Sequence, residues 1–471
     1  MTPEQRDTER LVAALVAPDI LDLLESEPAS VARETEELHP ADLADVAELL
    51  PRELVPRLLG ALAPARAADV LEYLDEELRV DVLEKMDPGQ AALLLVRMTP
   101  DDRADALDEM DEEAADEILE AIPARERAET ERLLQYEPDT AGGLMTTEFV
   151  SVPEGHTVEE ALAAVRGMAR AGRREAMNTV YVLNAGGALA GVLSLRELLA
   201  APEGTRIADL AWTEIVSVHT SADREEVAQL TSNYDLSAVP VVDDRQRLLG
   251  VVTVDDVIDV IHEEQTEDVQ KFGGLDALEE PYLQSSFLDL LRKRTPWLLI
   301  LFLGQMFTAA AMGFFEDEIT SAVVLSLFIP MIISSGGNSG SQATSLIIRA
   351  MALREIGGRD WLRVMARELA LGLVLGTMLG LVGVLRVIIW QWTGLYPYGD
   401  HYVLLAATVG ATVVGVVLFG TITGAMLPFV LRRVGFDPAS ASAPLVATLV
   451  DVTGVVLYFT IALTLLRGTI L

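Results

Sequence analysis

The sequence predicts a multidomain chain: an α-helical superhelical repeat domain, an α/β tandem pair of matching modules, and an all-α polytopic membrane domain with five transmembrane helices. Three observations carry that prediction. Charge and apolarity occupy different parts of the chain, since 51% of its 471 residues are hydrophobic and yet its formal charge is −38. Residues 1–290 hold 64 acidic and 23 basic side chains, a net of −41, whereas residues 291–471 hold 9 and 12, a net of +3. A Pro-headed unit recurs at about 12-residue spacing between residues 38 and 135, and a longer helix-strand-strand-helix pattern then occurs twice. Five apolar stretches close the chain.

The repeats are HPADLADVAELL, APARAADVLEYL, DPGQAALLLVRM, TPDDRADALDEM and IPARERAETERLL. Proline in a first helical turn needs no N–H partner, and acids just behind it meet the positive end of the helix dipole. Each unit therefore reads as one short helix, and stacked units as a superhelix. Most of these carboxylates cap or solvate helices, but the run DALDEMDEEAADEILE exceeds what capping needs. The acid excess argues against nucleic acid as a partner, because phosphate recognition needs a basic footprint, and it points to cations. The absence of cysteine excludes a disulfide framework, thiolate zinc sites and a Cys nucleophile. The opening MTPEQRDTER has neither a basic n-region nor an apolar h-region, so the acidic part is expected to stay cytoplasmic.

After the junction YEPDTAGGLMTTEFVSV come two matching modules. The first has TVEEALAAVRGMA followed by TVYVLNAGGALAGVLSLRELL; the second has DREEVAQLTSNYD followed by SAVPVVDDRQRLLGVVTVDDVIDVI. Each reads as helix, strand, turn, strand, Ser or Thr, helix, and together they resemble a tandem pair of CBS modules. In that family a Ser or Thr ending a strand and an acid three positions later hold adenosine ribose, and Ser194 with Glu197 and Thr253 with Asp256 match. The segment that follows carries Glu263, Glu264, Glu267 and Asp268 on one helical stripe. Carboxylates about 4 Å apart repel by about 4 kcal/mol at an effective dielectric near 20. The stripe is either a solvated face or one that a divalent cation bridges.

The apolar stretches run over 296–315, 322–349, 364–390, 402–431 and 442–467, each near or above the about 20 residues a spanning helix needs. Arg292, Lys293 and Arg294, then Arg349, Arg354, Arg359, Arg363 and Arg367, then Arg432 and Arg433 fall on one side of a five-span topology. Glu316, Asp317, Glu318 and WQWTGLYPYGDHY fall on the other. The positive-inside rule places the N-terminus in the cytoplasm and the C-terminus outside. Asp451 stands near the middle of the fifth span, where an ionised side chain costs roughly 2.5 to 3.5 kcal/mol; a pore site is favoured over interhelical glue. In the second span, SSGGNSGSQATS sets small residues around Asn338 and Gln342. It reads either as close helix packing or, with Gly336-Gly337 beside Pro330, as broken helix lining a water-filled path.

The order of these parts resembles the MgtE family of magnesium channels. The specific pieces are TAGGLMT, GGNSGSQATSLIIRA and PLVATLVDVTG. The resemblance implies five segments: a helical-repeat N domain at 1–137, CBS modules at 138–200 and 201–262, an acidic connecting (plug) helix at 263–294 and a pore domain at 295–471. It implies a multi-pass protein of the cell (inner) membrane and a homodimer formed through the CBS and transmembrane domains, with Mg2+ both transported and regulatory. Asp451 then holds a hydrated cation, with Ala447, Gly337, Ser341 and Ser345 lining the same path. Ser341 and Ser345 stand where similar proteins have Asn and Thr. The cytoplasmic sensing positions are Glu225, Ser232, Asp235, Asp256, Asp259, Glu264, Glu267, Asp268 and Asp437, with Asp101, Asp102 and Asp105 as candidates in the N domain. Arg196 and Glu197 match an ATP-binding pair, although Leu236 replaces an aromatic residue. Alternatives from the residues are transport of another divalent ion such as Co2+ or Mn2+, and an ion-coupled Mg2+ exchanger. A membrane enzyme such as an intramembrane protease is disfavoured, because His39, His156, His219, His262 and His401 form no H-E-x-x-H pair and the spans supply one central Asp, not two.

Overall fold

The computed structural model describes residues 3–170, 177–278, 282 and 285–470. It contains two compact units, residues 1–262 and 263–471.

The first unit opens with helices α1 (Pro3–Ser26), α2 (Val31–Glu34), α3 (Pro40–Leu49), α4 (Val55–Ala61), α5 (Pro64–Glu72), α6 (Glu76–Lys85), α7 (Pro88–Leu95), α8 (Pro100–Asp108), α9 (Glu112–Ala121) and α10 (Ala124–Leu133). The Pro-headed units are helices as expected. Between them lie α4, α6 and α9, which the proline pattern did not mark. Asp75 caps α6 by accepting from the Glu77 N–H at 3.2 Å, which replaces proline as the start signal. Successive helices bury Leu43, Leu58, Leu59, Leu71, Leu83 and Leu95 in one continuous core.

Two three-stranded sheets follow. The first joins β1 (Val150–Pro153), β2 (Thr179–Leu183) and β3 (Leu189–Ser194), with β1 parallel to β2 and β2 antiparallel to β3. Helices α11 (Val158–Arg170) and α12 (Leu195–Ala200) belong to this module. The second repeats the plan with β4 (Val218–His219), α13 (Arg224–Tyr234), β5 (Ala238–Val242), β6 (Leu248–Thr253) and α14 (Val254–Phe272). Strands β1 and β4 are short parallel additions that lie outside the expected pattern. TAGGLMT, placed by sequence with the first module, pairs with the second: the Ala141 N–H donates to Ala222 O at 2.8 Å and Thr146 N–H to Val251 O at 2.8 Å. A Cβ at Gly142 would stand 2.6 Å from the Tyr136 ring and 2.9 Å from Thr220 O, so only glycine fits this close approach.

The acidic helix α14 starts inside the second module and ends at Phe272, well short of residue 294. Residues 279–281 and 283–284 of the expected connecting segment lie outside the described residues.

The second unit contains α15 (Phe287–Phe314), α16 (Glu316–Ser321), a 3-10 segment over Val323–Phe328, α17 (Ile329–Ala352), α18 (Trp361–Thr393), α19 (Tyr402–Val434) and α20 (Ala443–Leu466). Helices α15, α17 with its 3-10 lead, α18, α19 and α20 are the five long enough and apolar enough to span a bilayer. The expected break at Gly336-Gly337 is absent, because α17 runs unbroken through both residues. Irregular backbone lies earlier, at the 3-10 segment, and Pro330 occupies the first turn, where a missing N–H costs nothing. The glycines serve packing instead. A Cβ at Gly420 would stand 2.2 Å from the Gly336 carbonyl oxygen, and one at Gly424 would stand 2.1 Å from that of Gly340. Two small-residue stripes thus bring α17 and α19 into backbone contact. Ser339 and Thr421 hydroxyls, 2.7 Å apart, tie the same seam.

Candidate metal sites

In the membrane unit the five expected pore residues lie on α17 and α20, which meet at Gly337 and Ala447. On α20, Ala447 and Asp451 are one turn apart. A Cβ at Gly337 would lie 3.6 Å from Ala447 Cβ, ordinary van der Waals contact, so α17 meets α20 there. The Ser341 hydroxyl, one turn along α17, points to the Ala443 carbonyl at 3.5 Å. Ser345 continues the stripe and is exposed, as are Asn338 and Gln342. The opposite side of α17 buries Ile332, Gly336, Ser339, Gly340 and Thr344. A spanning helix with an exposed polar stripe does not face lipid, since unsatisfied polar groups are costly there.

Asp451 has a partner that sequence reasoning missed. The Gln305 amide on α15 donates to Asp451 Oδ2 at 2.5 Å. A Cβ at Gly304 would stand 2.4 Å from Thr448 Cγ2, so glycine lets α15 come this close to α20. The signal was available, because Gln305 is a lone amide in the apolar run LLILFLGQMF. Nothing in the sequence joined it to Asp451.

In the first unit, Asp101, Asp102 and Asp105 on α8 gather with Asp256 at the start of α14. Asp101 is 4% exposed, and its Oδ1 has no hydrogen-bond partner among the described residues. Burial first, and Asp102 second, push Asp101 up to about 7. Burial and the charges of Asp101 and Asp102 push Asp105 to about 8. Asp102 is raised, mainly by burial, although Thr99 donates to its Oδ2 at 2.7 Å. Burial, followed by the charge of Asp101, holds Asp256 well above the carboxylate range, while Thr253 donates to it at 2.5 Å. Glu72 on α5, unmarked by sequence, joins the group and is pushed up to about 8 by burial and Asp102. Asp259 is also raised by burial, against the lowering effect of His262. Arg79 opposes these shifts at Asp102 and Asp105, but its Nε is bound to Glu109 at 3.1 Å.

A second acid group belongs to the membrane unit. Glu264, Glu267 and Asp268 near the end of α14 meet Asp437 from the loop between α19 and α20. Burial, then Asp437 and Glu264, raise Asp268 to about 6. The cation among them is a lysine that the sequence reading passed over: Lys271 Nζ lies 2.7 Å from Asp437 Oδ2 and also pairs with Glu267. Phe272 packs beside Ile348, Ala439 and Ala441, so the helix end is seated on the loop by apolar contact as well as by charge.

Other expected residues are not in these groups. Glu225 lies at the start of α13, and Ser232 and Asp235 at its other end, all exposed on the surface; Asp235 ends the helix at φ 52°. Glu197 closes a capping box with Ser194, and the Trp212 indole donates to Glu197 Oε1 at 2.9 Å. A ribose hydroxyl seeking Glu197 beside Arg196 would compete with that indole. Among the described residues, no three acid or imidazole side chains stand close enough to hold a metal ion as placed. The donor chemistry nonetheless suits a hard cation, since all ligands are oxygens and Asp101 presents a buried oxygen without a partner.

Comparison with known proteins decides the family. Residues 329–461 match the MgtE model, described as a divalent cation transporter, residues 38–139 match the MgtE intracellular N domain, and 141–204 and 207–263 match CBS domains. The chain is 44% identical over 344 residues to the magnesium transporter MgtE of Thermus thermophilus, covering 73% of this chain and 74% of that one. This chain belongs to the MgtE family. It is 36% identical to the magnesium transporter MgtE of Enterococcus faecalis, covering 73% of each. The crystal structure of the soluble part of a magnesium transporter matches with a TM-score of 0.50 at 35% identity, covering 54% of this chain and 99% of that one. MgtE proteins are transporters and not enzymes, and with five apolar helices this member is a multi-pass membrane protein.

Proposed function

We propose that this MgtE-family chain is a magnesium channel that admits Mg2+ to the cytoplasm through a pore built by two copies, and that cytoplasmic Mg2+ closes it. The observation that carries the reading is Asp451, a carboxylate one turn along α20 from Ala447, which packs against Gly337 beside the exposed polar stripe of α17. Magnesium dehydrates reluctantly and keeps several waters while contacting one or two carboxylates. One Asp per chain among small neighbours suits a hydrated ion. The exposed stripe Asn338, Gln342 and Ser345 supports a second copy across it, since the alternative neighbour is lipid.

The segments 1–137, 138–200, 201–262, 263–294 and 295–471 act as the chain's functional parts, with the N-terminus cytoplasmic. Regulatory cations bind the crowded acids Asp101, Asp105 and Asp256, and separately Glu264, Glu267, Asp268 and Asp437; Glu225, Ser232 and Asp235 supply a surface site. Binding neutralises carboxylates that otherwise repel, and it favours whichever arrangement gathers them. A cation that binds the gathered state better shifts the population toward it, and about 5.5 kcal/mol of differential binding turns a 1:99 ratio into 99:1.

Flux into liposomes tests this. Mg2+ entry should follow the Mg2+ gradient alone and fall as Mg2+ is raised on the cytoplasmic side. Entry that requires a proton or sodium gradient would overturn the channel reading.

A further inference from the structure

We infer that Gln305 is a positioning residue for the transport site: its amide fixes which oxygen of Asp451 faces the ion path. This rests on the pore reading above and deepens it. Gln305 Nε2 lies 2.5 Å from Asp451 Oδ2, a bond to an ionisable acceptor and so of the stronger kind. The contact is built into the packing, because Gly304, the preceding residue, leaves no room for a side chain against Thr448. Asp451 and Gln305, 146 residues apart in sequence, are thus brought together by the close approach that this glycine allows.

An amide suits this position better than a cation. Lysine or arginine here would neutralise Asp451 and remove the charge that attracts a divalent ion. Glutamine donates a hydrogen bond and leaves the net charge in place. With Oδ2 committed to the amide, Oδ1 is the oxygen free to accept from the hydration shell of an ion beside Ala447 and Gly337. A carboxylate fixed in this way takes one water-mediated contact. An unfixed one can swing to a direct, bidentate contact, which a larger cation such as Ca2+ accepts more readily than Mg2+ does.

The experiment compares Gln305→Met, Gln305→Lys, Asp451→Ala and the parent chain, purified as full-length protein and reconstituted into liposomes. Mg2+ influx is measured across a range of external Mg2+, with and without Ca2+ as competitor. Gln305→Met keeps the side-chain length and removes the donor; its half-saturating Mg2+ is expected to rise about tenfold and its discrimination against Ca2+ to fall, with maximal flux little changed. Gln305→Lys is expected to abolish flux while the protein remains monodisperse. A merely structural role would lower maximal flux without moving half-saturation or Ca2+ competition, and that result overturns the inference. So does parent-like flux in Gln305→Lys. If Asp451→Ala itself conducts normally, the pore reading fails first; if it is silent while both Gln305 variants behave as the parent, only the positioning role fails.

Discussion

Negative charge is handled in opposite ways in the two parts of this molecule. In the membrane unit Asp451 stands on the apolar helix α20, with the neutral amide of Gln305 2.5 Å away. In the first unit Glu72, Asp101, Asp102, Asp105 and Asp256 crowd together, and burial and mutual repulsion push several of them toward neutral pH. On the proposed reading, a transport site binds a hydrated ion weakly enough to release it, which one charge allows, whereas a sensor changes its preferred arrangement when a cation arrives, as a crowd of like charges does. The group at Asp437 lies between these extremes, because Lys271 already supplies one positive charge there.

On the sensing side, the largest expected effect comes from Asp101→Asn with Asp105→Asn. The half-inhibiting cytoplasmic Mg2+ should rise about tenfold or more, since ligand charge count sets the affinity of oxygen-donor sites, while flux at low Mg2+ stays intact. The pH dependence sharpens the same point. Glu72, Asp101 and Asp105 have folded-state values near 7 to 8 against about 4 for an ordinary carboxylate. The folded unit therefore holds protons that the unfolded chain releases. The stability that these three groups contribute is fully present below about pH 4 and is lost as pH rises through about 7 to 8. Thermal unfolding without Mg2+ should show that decline, and the double variant should flatten it. Mg2+ competes with these protons, so inhibition should need less Mg2+ at pH 8 than at pH 6. A pH-independent half-inhibition would break the link between the acid crowd and sensing.

A smaller effect is expected at Lys271. Replacing it with Met removes the resident cation from Glu267 and Asp437 and leaves the site to divalent ions alone. Half-inhibiting Mg2+ should fall by about threefold, the scale of one partly screened charge interaction. A rise instead would show that Lys271 seats the helix and does not compete with Mg2+.

Much of this was legible in the sequence where the signal is local. Proline at the first turn marked α3, α5, α7 and α8, and hydropathy marked the spans. Helices α6 and α9 escaped because an Asp precedes them in place of proline, and β1 and β4 because strands of four and two residues carry no readable alternation. Gly336-Gly337 allowed two local readings, and only the facing Gly420 and Val416 decide for packing. The site residues split the same way. Asp451 was conspicuous as a charge in an apolar run. Gln305, Glu72 and Lys271 join the candidate sites only through neighbours that are distant in sequence, 166 residues away in the case of Lys271 and Asp437.

On the proposed reading, transport depends on Asp451 and not on the crowded acids of the first unit. Asp451→Asn keeps the shape and the Gln305 contact while removing the charge. Measured as Mg2+ influx into liposomes, with sensing followed separately as Mg2+-dependent protection of the first unit from protease, it should lower flux about 100-fold and leave that protection unchanged. Flux within about twofold of the parent chain, well under the 1.4 kcal/mol that a factor of ten represents, would contradict the account.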